Sequence, residues 1–445
     1  MSDLTHRLAV LADAARHDAP CAARLGGWRG PQGRGRPPRA LPLAGSADPV
    51  AEAVCHAVAA DGRTVALLKI LLSNHCVHDC AYCPLRRSAD GERARLSVRE
   101  VVRLTLDYHR RGVVEGLFLS AAVDRDADAT MEQMVAVARS LRRDHHFLGY
   151  VHLKVIPEAS AELVAEAGRW ADRLSVNVEL PTQADLDRVA PGRRLATMHR
   201  AMDRIRDGIA DSHEGGKGGR SALAAAAGRW GRVAVPRFAP AGQVTQMVVG
   251  ATGASDAELL RASQALYLRQ RLRRVYFGSF VPPAEAVAGL STVAPSPLRE
   301  RRLYQADWLL RHYGFGAEEL APPEAPQLPL DRDPKLAWAL RHPEVFPVDL
   351  DRASRELLLR VPGFGRRTVE RLLAIRPWHR LRLADLERLH VPVARALPFV
   401  VLADHRPAAG ARERLALPPR RWRAQQLDLF PGDSGLAAPG QPHAA

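Results

Sequence analysis

Three cysteines stand at spacings of four and three residues in the run Cys76-Val-His-Asp-Cys80-Ala-Tyr82-Cys83. Thiolates at such spacing can wrap one loop around a metal centre, and soft sulfur favours zinc or an iron–sulfur cluster. Structural zinc sites and electron-carrying clusters usually take four protein ligands. This chain has five cysteines, and the other two, Cys21 and Cys55, lie upstream without paired spacing. Three thiolates on a four-iron cluster leave one iron open to a small molecule, which turns a redox group into a catalyst. A zinc loop completed by His75 or His78 is the alternative that the residues leave open.

The loop follows an apolar, strand-like run, Thr64 to Ser73. From there strand and helix patterns alternate. Strands are expected at 116–120, 150–156, 173–179, 245–250 and 275–280. Helices are expected at 97–111, 130–144, 160–169, 195–208 and 256–269. Ser97 has the type of an N-cap, and Glu100 completes a capping box. This alternation predicts a parallel sheet in an α/β fold, and its periodicity suits a doubly wound sheet as well as a six-unit partial barrel.

C-x3-C-x2-C with the aromatic Tyr82 before its last cysteine resembles the signature of the radical S-adenosylmethionine (SAM) superfamily. The resemblance implies a partial (β/α)6 TIM-type barrel, with Cys76, Cys80 and Cys83 ligating a [4Fe–4S] cluster. It implies that the open iron is chelated by SAM, which one electron from a donor such as flavodoxin or ferredoxin cleaves to a 5′-deoxyadenosyl radical. In such a barrel the chemistry sits at the carboxyl ends of the strands. Strand two ends in Ser120, Ala121 and Ala122, a place similar to the family's loop for the SAM amino group, though the acid and glycines of that loop are absent. Strand three carries Lys154, facing either inward or solvent. Strand four places Ser175, Asn177 and Glu179 on one face. The resemblance implies that Asn177 and Glu179 meet the SAM ribose or amino group; an internal hydrogen-bond network is the other reading. Strand five runs through Gly250 in a segment similar to the one beside the adenine in the family. Strand six ends in an aromatic patch, Tyr276 to Phe280, suited to the substrate side.

The 445 residues allow two or three domains. Residues 1–59 read as an N-terminal helix and a Gly/Pro/Arg-rich arm, 60–285 as the barrel with a flexible insertion at 211–232, and 286–345 as a helical and Pro-rich linker. Residues 346–405 read as a small all-α domain and 406–445 as a disordered basic tail. Within 346–405, two helical stretches flank Val361-Pro-Gly363-Phe364-Gly365, followed by Arg366 and Arg367, which resembles a helix-hairpin-helix. Glycines there let backbone N–H groups approach an anion, so the turn grips phosphate without reading bases. A second, glycine-free hairpin, 383–402, is expected to pack against the first. In the tail, Gln426-Leu427-Asp-Leu429-Phe430 is similar to the peptide by which bacterial replication and repair enzymes dock onto the sliding clamp.

The formal net charge of +15 suits a polyanionic partner. Only four of the 64 basic residues are lysines: Lys69, Lys154, Lys217 and Lys335. No run approaches the ~18 apolar residues of a membrane span, and no secretory signal is evident, so no membrane partner and a cytoplasmic setting are expected. Barrel, hairpin and clamp-like tail in that order resemble radical SAM proteins described as DNA modification or repair enzymes. The expectation is therefore a DNA-acting enzyme, against an RNA- or tRNA-modifying enzyme or a non-catalytic DNA-binding protein with a structural metal.

Overall fold

A computed structural model describes residues 3–17, 53–58, 64–218, 237–283 and 285–416. The Gly/Pro/Arg-rich arm, Cys21, most of the 211–232 insertion and the clamp-like peptide lie outside the described residues. The chain divides into two compact units, Met1–Pro334 and Lys335–Ala445.

The first unit is a seven-stranded sheet whose strands follow one another in chain order. β1 (Val54–Val58) runs antiparallel to β2 (Thr64–Leu71). From β2 onward every pair is parallel, through β3 (Gly116–Ser120), β4 (Tyr150–Lys154), β5 (Arg173–Ser175), β6 (Gln243–Val249) and β7 (Arg274–Ser279). A doubly wound sheet would reverse its strand order at a switch point. Uninterrupted order leaves the alternative, an open, curled half-barrel of six β/α units. The sequence reading had no place for β1, whose five residues alternate too briefly to signal a strand.

Helices α2 (Val98–Arg110), α3 (Ala127–Arg143), α4 (Ala161–Trp170), α5 (Gln183–Val189), α6 (Leu195–Gly218) and α7 (Asp256–Gln270) cross between the strands. Ser97 caps α2 in the expected box with Glu100. The N-terminal helix α1 (Asp3–Ala14) docks there through Arg7, which donates to Glu100 at 2.8 Å and to the Arg95 carbonyl at 2.7 Å. α6 continues to Gly218, past the point where the insertion was expected to begin. β5 is ladder-paired over three residues, and beyond it an isolated parallel bridge joins Glu179 to Met247 of β6. The free edge of β7 is closed by hydroxyls. Tyr304 of α8 (Pro297–His312) gives its proton to Phe277 O and accepts from Phe277 N, both at 3.0 Å, while Tyr267 accepts from Val275 N at 2.8 Å. An edge with its N–H and C=O groups engaged offers no template to a second chain. A short helix, α9 (Ala317–Leu320), ends the regular structure of this unit.

The second unit begins in α10 (Pro334–Arg341), within the stretch read from sequence as linker, and buries Trp338. A two-residue strand, β8 (Val348–Asp349), precedes α11 (Arg355–Arg360), α12 (Arg366–Ile375), α13 (Leu383–Arg388) and α14 (Val393–Ala396). β9 (Val400–Val401) then pairs parallel with β8, so the last helix of the second hairpin stops well short of the expected Leu402. Pro392 of that hairpin lies 3.2 Å from where a Cβ on Gly363 would stand, which packs the second turn on the first. A last helix, α15 (Ala411–Ala416), closes the described part.

Candidate functional site

The cysteine loop hangs from the carboxyl end of β2 and is tied along its whole length. Asn74 closes its neck, its side chain donating to Glu92 O at 2.8 Å and accepting from Ala94 N at 2.7 Å. Arg93 fills the middle. Its guanidinium donates to four carbonyls, Asn74 at 2.6 Å, Leu85 at 3.0 Å, Arg86 at 2.7 Å and Ala89 at 2.8 Å. Asp79 accepts from the backbone and hydroxyl of Ser88, at 3.1 and 2.7 Å. The segment after β3 and the end of α5 add Val77 N to Val123 O, at 2.8 Å, and Ala81 N to Val189 O, at 2.7 Å. A loop so tied holds its side chains in place before any ligand arrives.

Cys76, Cys80 and Cys83 are unbonded and half-buried on this loop. Each lies within electrostatic reach of the others. Burial, with Glu179 and Cys76 nearby, pushes the Cys80 thiol up to about 11. Burial likewise pushes Cys83 up to about 12, with Cys80, Glu179 and Cys76 adding to it. Among the described residues no three His, Cys, Asp or Glu side chains close on a point as ligands of a single ion would. Thiols this buried keep their protons unless a strong positive charge replaces them. The residues present therefore fit a [4Fe–4S] group on Cys76, Cys80 and Cys83.

The structure brings Tyr82 and Glu179 to the thiols. Tyr82 hydrogen-bonds Cys80, and burial beside Glu179 and Cys80 pushes its phenol well above the usual value. Glu179 sits at φ 63°, a left-handed conformation that costs a non-glycine residue about 1 kcal/mol or more and recurs at functional sites. Its N–H donates to Gln246 O at 3.1 Å, and its carbonyl accepts from Val248 N at 2.6 Å, which fixes the twist. Asn177 faces into the half-barrel and donates to Gln246 Oε1 at 3.5 Å.

Other expected contacts are placed with more constraint. Ser120 is buried and its carbonyl accepts from Leu72 N, and the Ala122 N–H is taken by Ser73 O. Of that trio, Ala121 is the residue whose backbone the cysteine loop and β2 leave unclaimed among the described bonds. Gly250 has φ 81°, and a Cβ there would stand 2.9 Å from Pro295. Glycine is required at 250 by this turn and this close approach, with or without a ligand.

Sequence reasoning missed Arg193. It follows α5 in the turn Pro191-Gly192-Arg193 and pairs with Glu158 at 3.1 Å, while its Nε is buried without a partner. Burial opposes its charge, but Glu158, Tyr82 and Glu179 outweigh that and hold its pKa above the usual value. Beside it, burial and the Arg193 charge push His78 below the usual histidine value. A cation poised over Cys80, Tyr82 and Glu179, with an unused donor, suits a carboxylate. The only signal in the sequence was its place in a loop at the carboxyl end of the barrel.

In the second unit, Gly363 takes φ 88° and Gly365 begins α12 without a side-chain cap, leaving Arg366 and Arg367 exposed at the first turn. Phe364 departs from the expectation of a ligand contact. Its ring is 2% exposed, its N–H goes to Val361 O, and its carbonyl accepts from Lys335 Nζ at 2.7 Å. Its apolar ring belongs to the core of the turn.

Residues 70–213 match the sequence model of the Radical SAM superfamily. Among curated proteins none matches the chain. Similar solved structures include HydG, a maturase of the [FeFe]-hydrogenase, at 15% identity and TM-score 0.37 over 54% of this chain and 48% of that one. Methylornithine synthase (PylB) is similar at 12% identity and TM-score 0.40 over 54% and 60%. HydG from Carboxydothermus hydrogenoformans is similar at 13% identity and TM-score 0.38 over 54% and 50%. The chain thus spans about half to three-fifths of the length of these structures. No described helix is long and apolar enough to cross a membrane. Residues 70–213 are a Radical SAM superfamily domain, the domain of enzymes that use a [4Fe–4S] cluster and S-adenosylmethionine.

Proposed function

We propose that this protein is a radical SAM enzyme acting on DNA, in modification or repair. The observation that carries the reading is one chain holding both a Radical SAM domain and a glycine turn with two exposed arginines at an uncapped helix N-terminus. When bound, the cluster and SAM supply a 5′-deoxyadenosyl radical that takes hydrogen from a substrate. Cys76, Cys80 and Cys83 would hold the cluster, and Arg93 keeps their loop shut. Arg193 and Glu179 would hold the charged end of SAM, with Asn177, the Ala121 backbone and the Gly250 turn nearby. Tyr82 shields Cys80 from water. The amides of Gly365 to Arg367 would grip phosphate, so affinity for DNA should fall steeply with salt and vary little with sequence. A base drawn from the duplex would be presented at the barrel mouth. An electron donor such as flavodoxin or ferredoxin is a further partner in this reading. The Gln426, Leu427, Leu429 and Phe430 peptide would tether the enzyme to a sliding clamp, and a pull-down unchanged by Leu429→Ala with Phe430→Ala would remove that element.

Anaerobic reconstitution followed by assay of 5′-deoxyadenosine tests the activity. The reading expects SAM cleavage that rises when damaged or intact duplex DNA is added. Cleavage stimulated by tRNA and not by DNA would move the substrate to RNA. A fully loaded cluster without cleavage, or zinc in place of iron, would remove the enzymatic claim.

A further inference from the structure

The second unit holds one aromatic ring out in water. Trp378 stands just past the carboxyl end of α12 and is 86% exposed, whereas every other described Phe, Tyr and Trp is buried or half-buried. The chain that carries it is not loose. Trp378 N donates to Ile375 O at 3.0 Å. Before the ring, the Arg376 guanidinium donates to Ala353 O at 2.6 Å. After it, His379 Nε2 meets Asp385 Oδ2 at 3.0 Å, and the N–H of fully buried Leu381 donates to Asp351 Oδ1 at 2.9 Å. Pro377 fixes one further backbone angle. A single exposed aliphatic side chain is ordinary. An indole, which removes about 150–250 Å² from water when it packs, is a different matter. Held clear of its own core on a pinned turn, it presents a flat face to a flat partner.

Charge and position name that partner. Residues 376–382 carry three arginines, one histidine and no acid. Arg376 and His379 are spent on the turn itself. Arg380 keeps its side chain 79% exposed although it lies 3.6 Å from Asp351, and Arg382 is exposed as well. Such a rim suits phosphates. Trp378 also lies at the far end of α12 from Arg366 and Arg367. The ten residues of that helix span about 15 Å. That is about four to five nucleotide steps along one strand, so a strand gripped at the amino end of α12 is long enough to reach the ring.

We propose that Trp378 stacks on an unstacked base of the nucleic acid whose phosphates the glycine turn grips. The inference rests on the nucleic-acid reading of the hairpin and narrows its substrate to strands with a base already out of the stack. Stacking on an indole accepts any base, so the ring reads lost stacking and not sequence.

Fluorescence anisotropy of labelled oligonucleotides with the full-length, cluster-loaded protein tests it. A DNA duplex with one bulged base should bind at least about fivefold more tightly than the intact duplex. Trp378→Ala should weaken the bulged duplex by about tenfold and the intact one by no more than about twofold, and Trp378→Phe should stay within about threefold of wild type. The melting temperature should not change in Trp378→Ala, because the ring packs on little. Arg366→Ala with Arg367→Ala should weaken both duplexes alike. Bulged-duplex affinity untouched by Trp378→Ala, or both duplexes weakened equally, overturns the proposal and leaves the DNA reading standing. A bulged RNA bound in place of the DNA, with the same loss in Trp378→Ala, keeps the role of the ring and moves the substrate to RNA. Binding to neither nucleic acid overturns both. Self-association that Trp378→Ala removes, with oligonucleotide binding unchanged, would make the ring a contact between copies of this chain and overturn the proposal.

Discussion

Two turns in this protein are each held from behind by a basic side chain, half-buried Arg93 in one and buried Lys335 in the other. In the cysteine loop, Arg93 donates to four carbonyls spread over Asn74 to Ala89. In the hairpin, Lys335 is buried under the glycine turn and donates to the Phe364 carbonyl at 2.7 Å. Their working parts differ. The loop displays the thiols of Cys76, Cys80 and Cys83, and burial disfavours the anions of the last two. The hairpin displays backbone amides beside glycines at an uncapped helix N-terminus. A turn that works through side chains needs many ties to hold a long excursion still. One that works through backbone is set by its own dihedral angles, with a buried side chain beneath it.

That contrast can be broken most sharply at the thiols. Cys80→Ser should abolish cluster loading, read as iron per chain, while duplex DNA affinity stays within about twofold. Arg93→Ala comes next. Losing charge-assisted bonds to four part-buried carbonyls should cost about 3 kcal/mol, and iron retention should fall with the melting temperature. Lys335→Met should cost less, about 1–2 kcal/mol, because burial already disfavours the Lys335 charge that the substitution removes. It should weaken DNA binding without changing iron content. If Arg93→Ala proves as mild as Lys335→Met, the two turns are held alike and the comparison fails. Gly363→Ala should cost about 1–2 kcal/mol, from its φ of 88° and the contact with Pro392, with chemical denaturation as the measure.

The smallest effect lies away from both turns. Arg7, followed by the Ser97 cap, lowers Glu100 from 4.5 to about 2. Its stabilisation is whole above about pH 4.5 and is lost as pH falls through about 2. After solvent screening this amounts to about 1 kcal/mol. Glu100→Gln should therefore lower the melting temperature at pH 7, with the difference from wild type vanishing near pH 2.

Much of this was legible in the residues because it is local. Cysteine spacing, the Ser97–Glu100 box and the glycine turn are each written within a few positions. The six parallel strands showed as period-two runs. What the sequence hid depends on distant partners. Arg93 and Arg193 look like any of the other arginines until the fold sets one inside a loop and the other against Glu158. Glu179 follows the strand alternation on paper, yet Gln246 and Val248 twist its backbone left-handed and aim it at the thiols. Phe364 reads as an exposed turn residue but fills the core of its turn, and Val54–Val58 becomes a strand only because β2 offers an edge.

The central claim is that three thiols on one tied loop hold a four-iron group with a position left open for SAM. Electron paramagnetic resonance of the anaerobically reduced protein, before and after adding SAM, tests it most directly. The account predicts a [4Fe–4S]+ signal whose g-values shift on SAM addition, and no such signal in Cys80→Ser. A reduced-cluster signal unchanged by SAM, or protein that accepts zinc and no iron, would contradict it.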